Sequence, residues 1–327
     1  MCFVRQGNVW MIEVVDPGLL TTVQDGGRTG YQAWGVTVGG AVDRFSLNTG
    51  NLLVGNHPDA PGIEMNLIGA VFRAHETLAA TLTGADFSAK LDGKDMPLGT
   101  VFLWPEGSLL SLKGKPDGAR CYLTVSGGID VPEVLKSAST DLIAGIGGTG
   151  GRALKKGDKL KVGEKRMDPS VLKGRRLSPV WFRKKKKKEP EKVRVVFGPH
   201  DDAFTQKGKE RFTSATFQCS HRMNRMGLQC LGEPVEHKNG ADIISAGVTF
   251  GSIQVPADGQ PFILLADRQT TGGYTQIATV IRADFTKIAQ LMPGDRIRFC
   301  PVSLGEAREA LVEQDRFLKQ LSAHNQK

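Results

Sequence analysis

Asp267, Arg268, Gln269, Thr270, Thr271, Gly272, Gly273 and Tyr274 stand in one unbroken run, DRQTTGGY. A carboxylate, a guanidinium, an amide, two hydroxyls and a phenol within eight positions supply most of what is needed to grip a small polar molecule. Two adjacent glycines lack a Cβ, so the backbone there can take φ > 0 and let a ligand come close. Successive amide N–H groups can then converge on a carbonyl or carboxylate oxygen. The run lies between two apolar stretches, Pro261–Ala266 and Ile277–Ile281, with the length and side chains of buried strands. A polar loop held by two stiff strands is a common seat of binding groups. The same composition also fits a hairpin turn whose polar residues are merely solvated.

Outside that run, polar residues at predicted turns or strand ends are candidates for a binding surface. In the first half they are Asp25, Arg28, Asp43 and Glu64, and in the second Arg225 and Gln254. Arg225 sits in Asn-Arg-Met-Gly, before a glycine that permits a bend. For each of these alone, an ion pair or a helix cap is the ordinary role. Density singles out DRQTTGGY.

Other familiar signals are weak or missing. Gly145–Gly151, GIGGTGG, matches the dinucleotide pattern of glycines, but the residues after it read as a turn into a strand rather than the required helix. A mobile glycine loop is the better reading. The sequence has no Walker-type phosphate loop and no serine-hydrolase elbow. Cys2, Cys121, Cys219, Cys230 and Cys300 are scattered, as are the six histidines, so neither a metal site nor a disulfide framework is expected. The net charge of +9 is concentrated between Lys165 and Lys192, with twelve Lys and Arg against three Asp and Glu, including the run Lys184–Lys188. Three prolines and no sustained periodicity make this stretch a solvated linker or long surface loop, and nucleic acid is not the expected partner. No apolar run approaches the roughly 18 residues of a membrane span. The N-terminus lacks the form of a signal peptide, so a cytoplasmic address is expected.

The elements that must position these residues are mostly strands. Short apolar or alternating runs recur at Ile12–Val15, Leu19–Val23, Gly62–Leu67, Leu78–Thr83, Phe87–Leu91, Val101–Trp104, Leu109–Leu112 and Arg120–Val125. Turn residues between them suggest a barrel or sandwich. The second half repeats the style at Val193–Phe197, Ala215–Cys219, Ile253–Val255, Phe262–Ala266, Ile277–Ile281 and Arg296–Phe299. Helices are few. Asp43 is placed to cap one ending near Gly55, and Asp130 with Glu133 and Pro132 predicts a short one to Lys136. Asp284 can cap another through Leu291. Ser303 and Glu306 form a capping box ahead of an amphipathic C-terminal helix. The expected domains are an N-terminal extension over 1–11, a β domain over 12–163, the basic linker over 164–192, a second β domain over 193–302, and the helix and tail over 303–327.

Several motifs carry a resemblance in a fixed order. They are PGLLTTVQDGGRTGY (Pro17–Tyr31), GGAVD (Gly39–Asp43), LTGADF (Leu82–Phe87), SGGIDVPEVLKSASTDL (Ser126–Leu142), FGPHDDAFT (Phe197–Thr205), NRMG (Asn224–Gly227), DRQTTGGY and PGDRIRF (Pro293–Phe299). Together these resemble the family known as KipA-type proteins, allophanate hydrolase subunit 2, the C-type subunit of 5-oxoprolinase, or biotin-dependent carboxyltransferases. The resemblance implies a mainly β chain of two cyclophilin-like β-barrel domains with a functional cleft between them. It departs from the family at Val38-Gly39-Gly40-Ala41-Val42-Asp43, where Pro-Ser-Gly-Ala-Met-Asp is common, and at Thr275, where proline is usual.

The resemblance also implies an activity: opening the lactam of 5-oxoproline to glutamate, driven by ATP, together with a KipI-type (B-type) subunit and a LamB/YcsF-type (A-type) subunit. Which subunit holds ATP is left open, and no metal or covalent biotin is expected in this chain. In that picture Asp267, Arg268, Gln269, Thr270 and Tyr274 are catalytic. Gln269 and the Thr270–Gly273 amides would hold the carbonyl oxygen, Arg268 or Arg225 the carboxylate, and Tyr274 or Asp267 would move a proton. Arg225, Gln254, Thr271, Gly272, Gly273, Asp25, Arg28, Asp43 and Glu64 would line the substrate. Two alternatives come from the same family: carboxyl transfer from biotin to urea or a similar amide, and non-catalytic binding of a KipI-type kinase inhibitor.

Overall fold

The computed structural model describes residues 11–164, 167–177 and 189–324. The predicted N-terminal extension and the Lys184–Lys188 run lie outside the described residues, apart from Met11. The chain divides into two compact units. One comprises the N-terminal residues to Gly26 and Ser46 to Arg183; the other comprises Gly27–Phe45 and Lys184 to Ala323.

The first unit contains β1 (Ile12–Asp16), β2 (Leu20–Gln24), most of α1 (Arg44–Leu53), β3 (Gly62–Asn66), β4 (Val71–Ala74), β5 (Leu78–Gly84), β6 (Lys90–Leu91) and β7 (Lys94–Asp95). It continues with β8 (Phe102–Trp104), β9 (Leu109–Ser111), β10 (Arg120–Val125), β11 (Ile129–Asp130), β12 (Lys159–Val162) and α2 (Pro169–Leu172). These strands make a seven-stranded sheet ordered β11-β12-β1-β4-β9-β6-β7 and a five-stranded sheet ordered β2-β3-β10-β5-β8. Alternate residues such as Val23, Ile63, Met65, Leu82 and Leu123 fill a common core with Ile12, Val14, Phe72 and Trp104.

The second unit contains β13 (Glu191–Phe197), α3 (Gln206–Ser214), β14 (Phe217–Met223), β15 (Gly227–Leu231), β16 (Asp242–Gly247), β17 (Ser252–Gln254) and β18 (Phe262–Leu264). After them come β19 (Thr271–Tyr274), β20 (Gln276–Val280), α4 (Phe285–Ala289), β21 (Arg296–Pro301) and α5 (Leu304–His324). Seven strands close a barrel in the order β13-β20-β17-β18-β15-β14-β21, sealed by the parallel pair β13 and β21 with Val193 opposite Phe299. Phe212 of α3 stacks on Phe299 with ring centroids 4.4 Å apart. The mainly β reading with few helices and a C-terminal helix therefore holds.

Three local readings are corrected. Residues 132–136 form no helix. Instead Val134 and Ser137 exchange backbone hydrogen bonds around Leu135 and Lys136, both at positive φ, and Asp130 pairs with Lys161 on the neighbouring strand at 2.9 Å. The tight turn delivers Ser137 Oγ and the Ala138 N–H to the buried Asp25 carboxylate, at 2.7 and 2.6 Å, with Ser139 Oγ as a third donor. Tertiary demand here overrides a local capping signal. Asp284 stands at the start of α4 but makes no side-chain cap bond, because its carboxylate is taken by Arg194 and Lys287. Part of the predicted linker is not solvated: Leu172 is fully buried, and Val101 N–H donates to Arg175 O at 2.8 Å. The capping box forms as predicted, with the Glu306 N–H donating to Ser303 Oγ and the Ser303 N–H to Glu306 Oε2.

The glycine run 145–151 is held rather than mobile in character. The Gly148 N–H donates to Ala138 O and the Gly151 N–H to Gly147 O, while Asp141 and Ile146 exchange two bonds. A Cβ on Gly151 would collide with Gly145 O, so close backbone approach explains the glycine. The Ile146, Gly148 and Gly151 amides are thereby engaged, and an amide already donating is poorly placed to hold a phosphate.

Candidate functional site

The centre of the second unit's polar cluster is an ion pair. Asn224 Oδ1 accepts from the Met226 and Gly227 amides, an Asx turn that fixes the bend before β15. Arg225, next to it, is turned inward. Its Nε and Nη2 donate to Asp267 Oδ2 and Oδ1 at 2.8 and 2.9 Å, and both side chains are only 4% exposed. The backbones pair as well, with the Asp267 N–H donating to Arg225 O at 2.9 Å. Arg225 Nη2 also donates to Gly40 O at 2.7 Å.

That last bond explains why a stretch from the first half belongs with the second barrel. Val42 joins the barrel's apolar core. Asp43, predicted to open a helix, does precede α1, and its carboxylate accepts from Thr286 Oγ1 at 2.9 Å and Gln290 Nε2 at 2.8 Å. Arg28 is fully buried, its N–H donating to Val38 O at 2.8 Å. Gly39 lies beside Arg28 Nη1 and Asp267 Oδ1, at 3.3 and 3.8 Å from its Cβ position. Arg28, Asp43, Arg225 and Asp267 thus lie in one unit.

DRQTTGGY is not a simple loop. Thr271–Tyr274 is strand β19, paired antiparallel with β16 in a two-stranded ribbon, Ala246 opposite Gly272 and Gly247 opposite Thr271. Neither Gly272 nor Gly273 is at positive φ, so the expectation of left-handed glycines is corrected. Gly272 is required for space, since a Cβ there would collide with Gln254 Nε2. Gln254 is itself buried and donates to Tyr274 O at 3.4 Å. Gln269, Thr271 and Tyr274 are exposed and Thr270 is half-buried. Arg268 is partly buried and reaches Val248 O and Leu265 O only at 3.4 and 3.2 Å. Burial lowers its pKa, with neighbouring Asp267 opposing the shift, and a guanidinium remains charged at neutral pH. Arg268 therefore keeps spare donors beside an exposed amide, two hydroxyls and a phenol. Thr275 puts both its groups to use: its N–H donates to Ala241 O at 2.9 Å, a bond no proline could make, and its Oγ1 is 3.1 Å from His237 Nε2.

Asp25 and Glu64 belong to the first unit. Glu64 is fully buried on β3, accepting from Tyr122 Oη at 2.7 Å and Asn66 Nδ2 at 3.3 Å. It lies in a row the sequence reading missed. Thr22 pairs with Glu64, Glu64 with Tyr122, and Tyr122 with Thr83, and all four are buried. Arg120 and Thr124 share that face of β10, and Gln24 that of β2. A period-two alternation of polar and apolar residues in LTTVQ, GIEMN and RCYLTV was the available signal. Strands buried on both faces hide it among core positions.

Comparison with known proteins agrees with this architecture. The family described as "Carboxyltransferase domain, subdomain A and B" matches residues 34–301. The chain belongs to that family. It is 39% identical over 319 residues to the C-type subunit of 5-oxoprolinase from Escherichia coli, covering 97% of this chain and 100% of that protein. The corresponding 5-oxoprolinase subunit of Haemophilus influenzae is 34% identical, with 95% and 97% covered. The crystal structure of the K. lactis urea amidolyase superposes with a TM-score of 0.89 at 29% identity, over 97% of this family member. The chain spans only 20% of that longer polypeptide. Among the described residues, no helix is long and apolar enough to cross a membrane.

Proposed function

We propose that this chain is the C-type subunit of an ATP-dependent 5-oxoprolinase, opening the 5-oxoproline lactam to L-glutamate with KipI-type and LamB/YcsF-type subunits and inactive alone. The reading is carried by the match to the E. coli 5-oxoprolinase subunit along its whole length. A lactam carbonyl is a poor electrophile, so the site must hold the substrate carboxylate and stabilise charge as it develops on the carbonyl oxygen. We assign those tasks according to which donors are already engaged. Arg225 has Nε and Nη2 committed to Asp267 and Gly40, which leaves Arg268 as the carboxylate holder. Gln269 and Thr270 stand next to it for the carbonyl oxygen. Tyr274 is the proton carrier, since the Asp267 carboxylate is tied up by a bidentate guanidinium. ATP is used by the assembled complex.

In the assembled complex, Arg268→Ala is expected to raise KM for 5-oxoproline by about 10–100-fold, the loss of one charge-assisted contact. Gln269→Ala is expected to lower kcat instead. Steady-state glutamate release measures both, and unchanged turnover in the two variants would remove DRQTTGGY from the site. The fold match to urea amidolyase favours a second reading, carboxyl transfer to urea or a similar amide from biotin carried by a partner. Urea-dependent discharge of carboxybiotin by the chain and its partners would select it.

A further inference from the structure

A cleft of about 530 Å³ opens in the second unit beside α3, lined by Lys207, Arg211, Glu236, His237, Ala241 and Asp258 among others. The cleft is open to solvent, so an occupant would be held by the polar groups on its walls rather than by enclosure. None of the Arg225, Asp267 or DRQTTGGY residues lines it. Its charges are opposite in sign yet are not paired with one another. Lys207 is exposed, and no hydrogen bond or ion pair engages it among the described residues. Glu236 is likewise exposed, and among the described residues its carboxylate has one long contact, from Thr205 Oγ1 at 3.4 Å. Among the same residues the Asp258 carboxylate accepts the Gln260 N–H alone, at 3.0 Å. Arg211 is already occupied, by Glu233 at 2.9 Å and Pro234 O at 3.0 Å.

His237 adds a third acceptor. Its Nε2 is 3.1 Å from Val255 O, and a carbonyl can only accept, so Nε2 carries the proton. Nδ1 is then left with a lone pair. Burial lowers the imidazole pKa, opposed by the bond to Val255, which keeps the ring neutral at neutral pH. The ring is steadied by Phe204, centroids 4.6 Å apart. One ammonium donor, two carboxylates and a neutral imidazole acceptor around one cleft match a molecule carrying both a carboxylate and an ammonium group.

We infer that this cleft binds a free α-amino acid as its zwitterion, Lys207 taking the α-carboxylate and Glu236, Asp258 and His237 the ammonium. The class follows from the cleft; that the occupant is L-glutamate rests on the proposed lactam opening, of which glutamate is the product. The position gives the occupant a route to the ribbon. Ala241 lines the cleft and accepts the Thr275 N–H, and His237 Nε2 contacts Thr275 Oγ1, one residue beyond Tyr274. Product in the cleft would therefore act on β19 without occupying the place of substrate.

Calorimetric titration of the purified full-length chain tests this without any turnover, so its result stands apart from that of the lactamase assay. L-Glutamate is expected to bind saturably, and glutarate, which lacks the ammonium, is expected not to. Lys207→Met and Glu236→Gln, both at exposed positions that leave the core intact, are each expected to weaken glutamate binding about tenfold or more. If glycine or L-alanine binds where glutamate does not, the amino-acid class stands and the glutamate assignment falls. Failure of all three amino acids, equal binding of glutarate, or glutamate binding indifferent to both substitutions would overturn the proposal.

Discussion

Asp267→Ala is expected to destabilise the second unit by about 3–5 kcal/mol, the cost of leaving one member of a buried ion pair without its partner. Arg225 and Asp267 are each 4% exposed, so water cannot replace the lost carboxylate. The arginine would remain buried with Gly40 O as one acceptor, and Gly40 belongs to the stretch that also sends Val42 into the barrel core. Loss of the pair should therefore loosen residues 27–45 together with the Asn224–Gly227 turn. Urea unfolding followed by tryptophan fluorescence and circular dichroism measures the change. The double variant Asp267→Ala with Arg225→Met should recover part of the loss, because it removes the stranded charge. A single variant as stable as the unsubstituted protein would show that the pair is not what anchors this cluster.

Asp284→Ala is the second large effect, and it carries a pH signature. Burial alone would raise the pKa of this enclosed carboxyl. The Arg194 side chain and N–H and the Lys287 ammonium outweigh it and hold the value below the ordinary carboxylate range. Arg194 Nη2 is 2.6 Å from Asp284 Oδ1. A group whose folded pKa is depressed contributes stability that is complete above the unfolded value, about 3.9, and is lost as pH falls through the lower folded value. The unsubstituted protein should therefore lose stability on acidification below about pH 4, and Asp284→Ala should flatten that slope. Since 37% of the Arg194 side chain stays in solvent, the cost at neutral pH should fall at the lower end of about 3–5 kcal/mol. Thermal unfolding between neutral and acid pH gives both numbers, and a variant with an unchanged acid slope would contradict the assignment.

Much of the fold was legible because strand periodicity is a local property. Arg120–Val125 was placed with its observed ends, and Ile277–Ile281 and Val193–Phe197 to within a residue or two. The Ser303–Glu306 box was read correctly because both partners lie within one turn. Readings failed where the deciding partner was distant in sequence. Asp130 and Glu133 carry a capping signal, but Asp25 needs the turn that Leu135 and Lys136 make instead. The TGGY run looks like a loop because glycine is a poor strand former; it becomes a strand only by pairing with Asp242–Gly247, a segment with no strand prediction. Residues 27–45 read as part of the first domain because the sequence does not disclose that Arg225 and α4 grip them. Of the candidate residues, the dense run was found by composition, whereas the buried row Thr22, Glu64, Tyr122 and Thr83 needed the register of three strand pairs.

The proposed function is tested most directly by reconstitution. The chain is mixed with the KipI-type and LamB/YcsF-type proteins of its own source, and glutamate release from 5-oxoproline is followed with and without ATP. ATP-dependent glutamate that disappears when this chain is omitted is the predicted result. A stable three-protein complex that releases no glutamate from 5-oxoproline would contradict it.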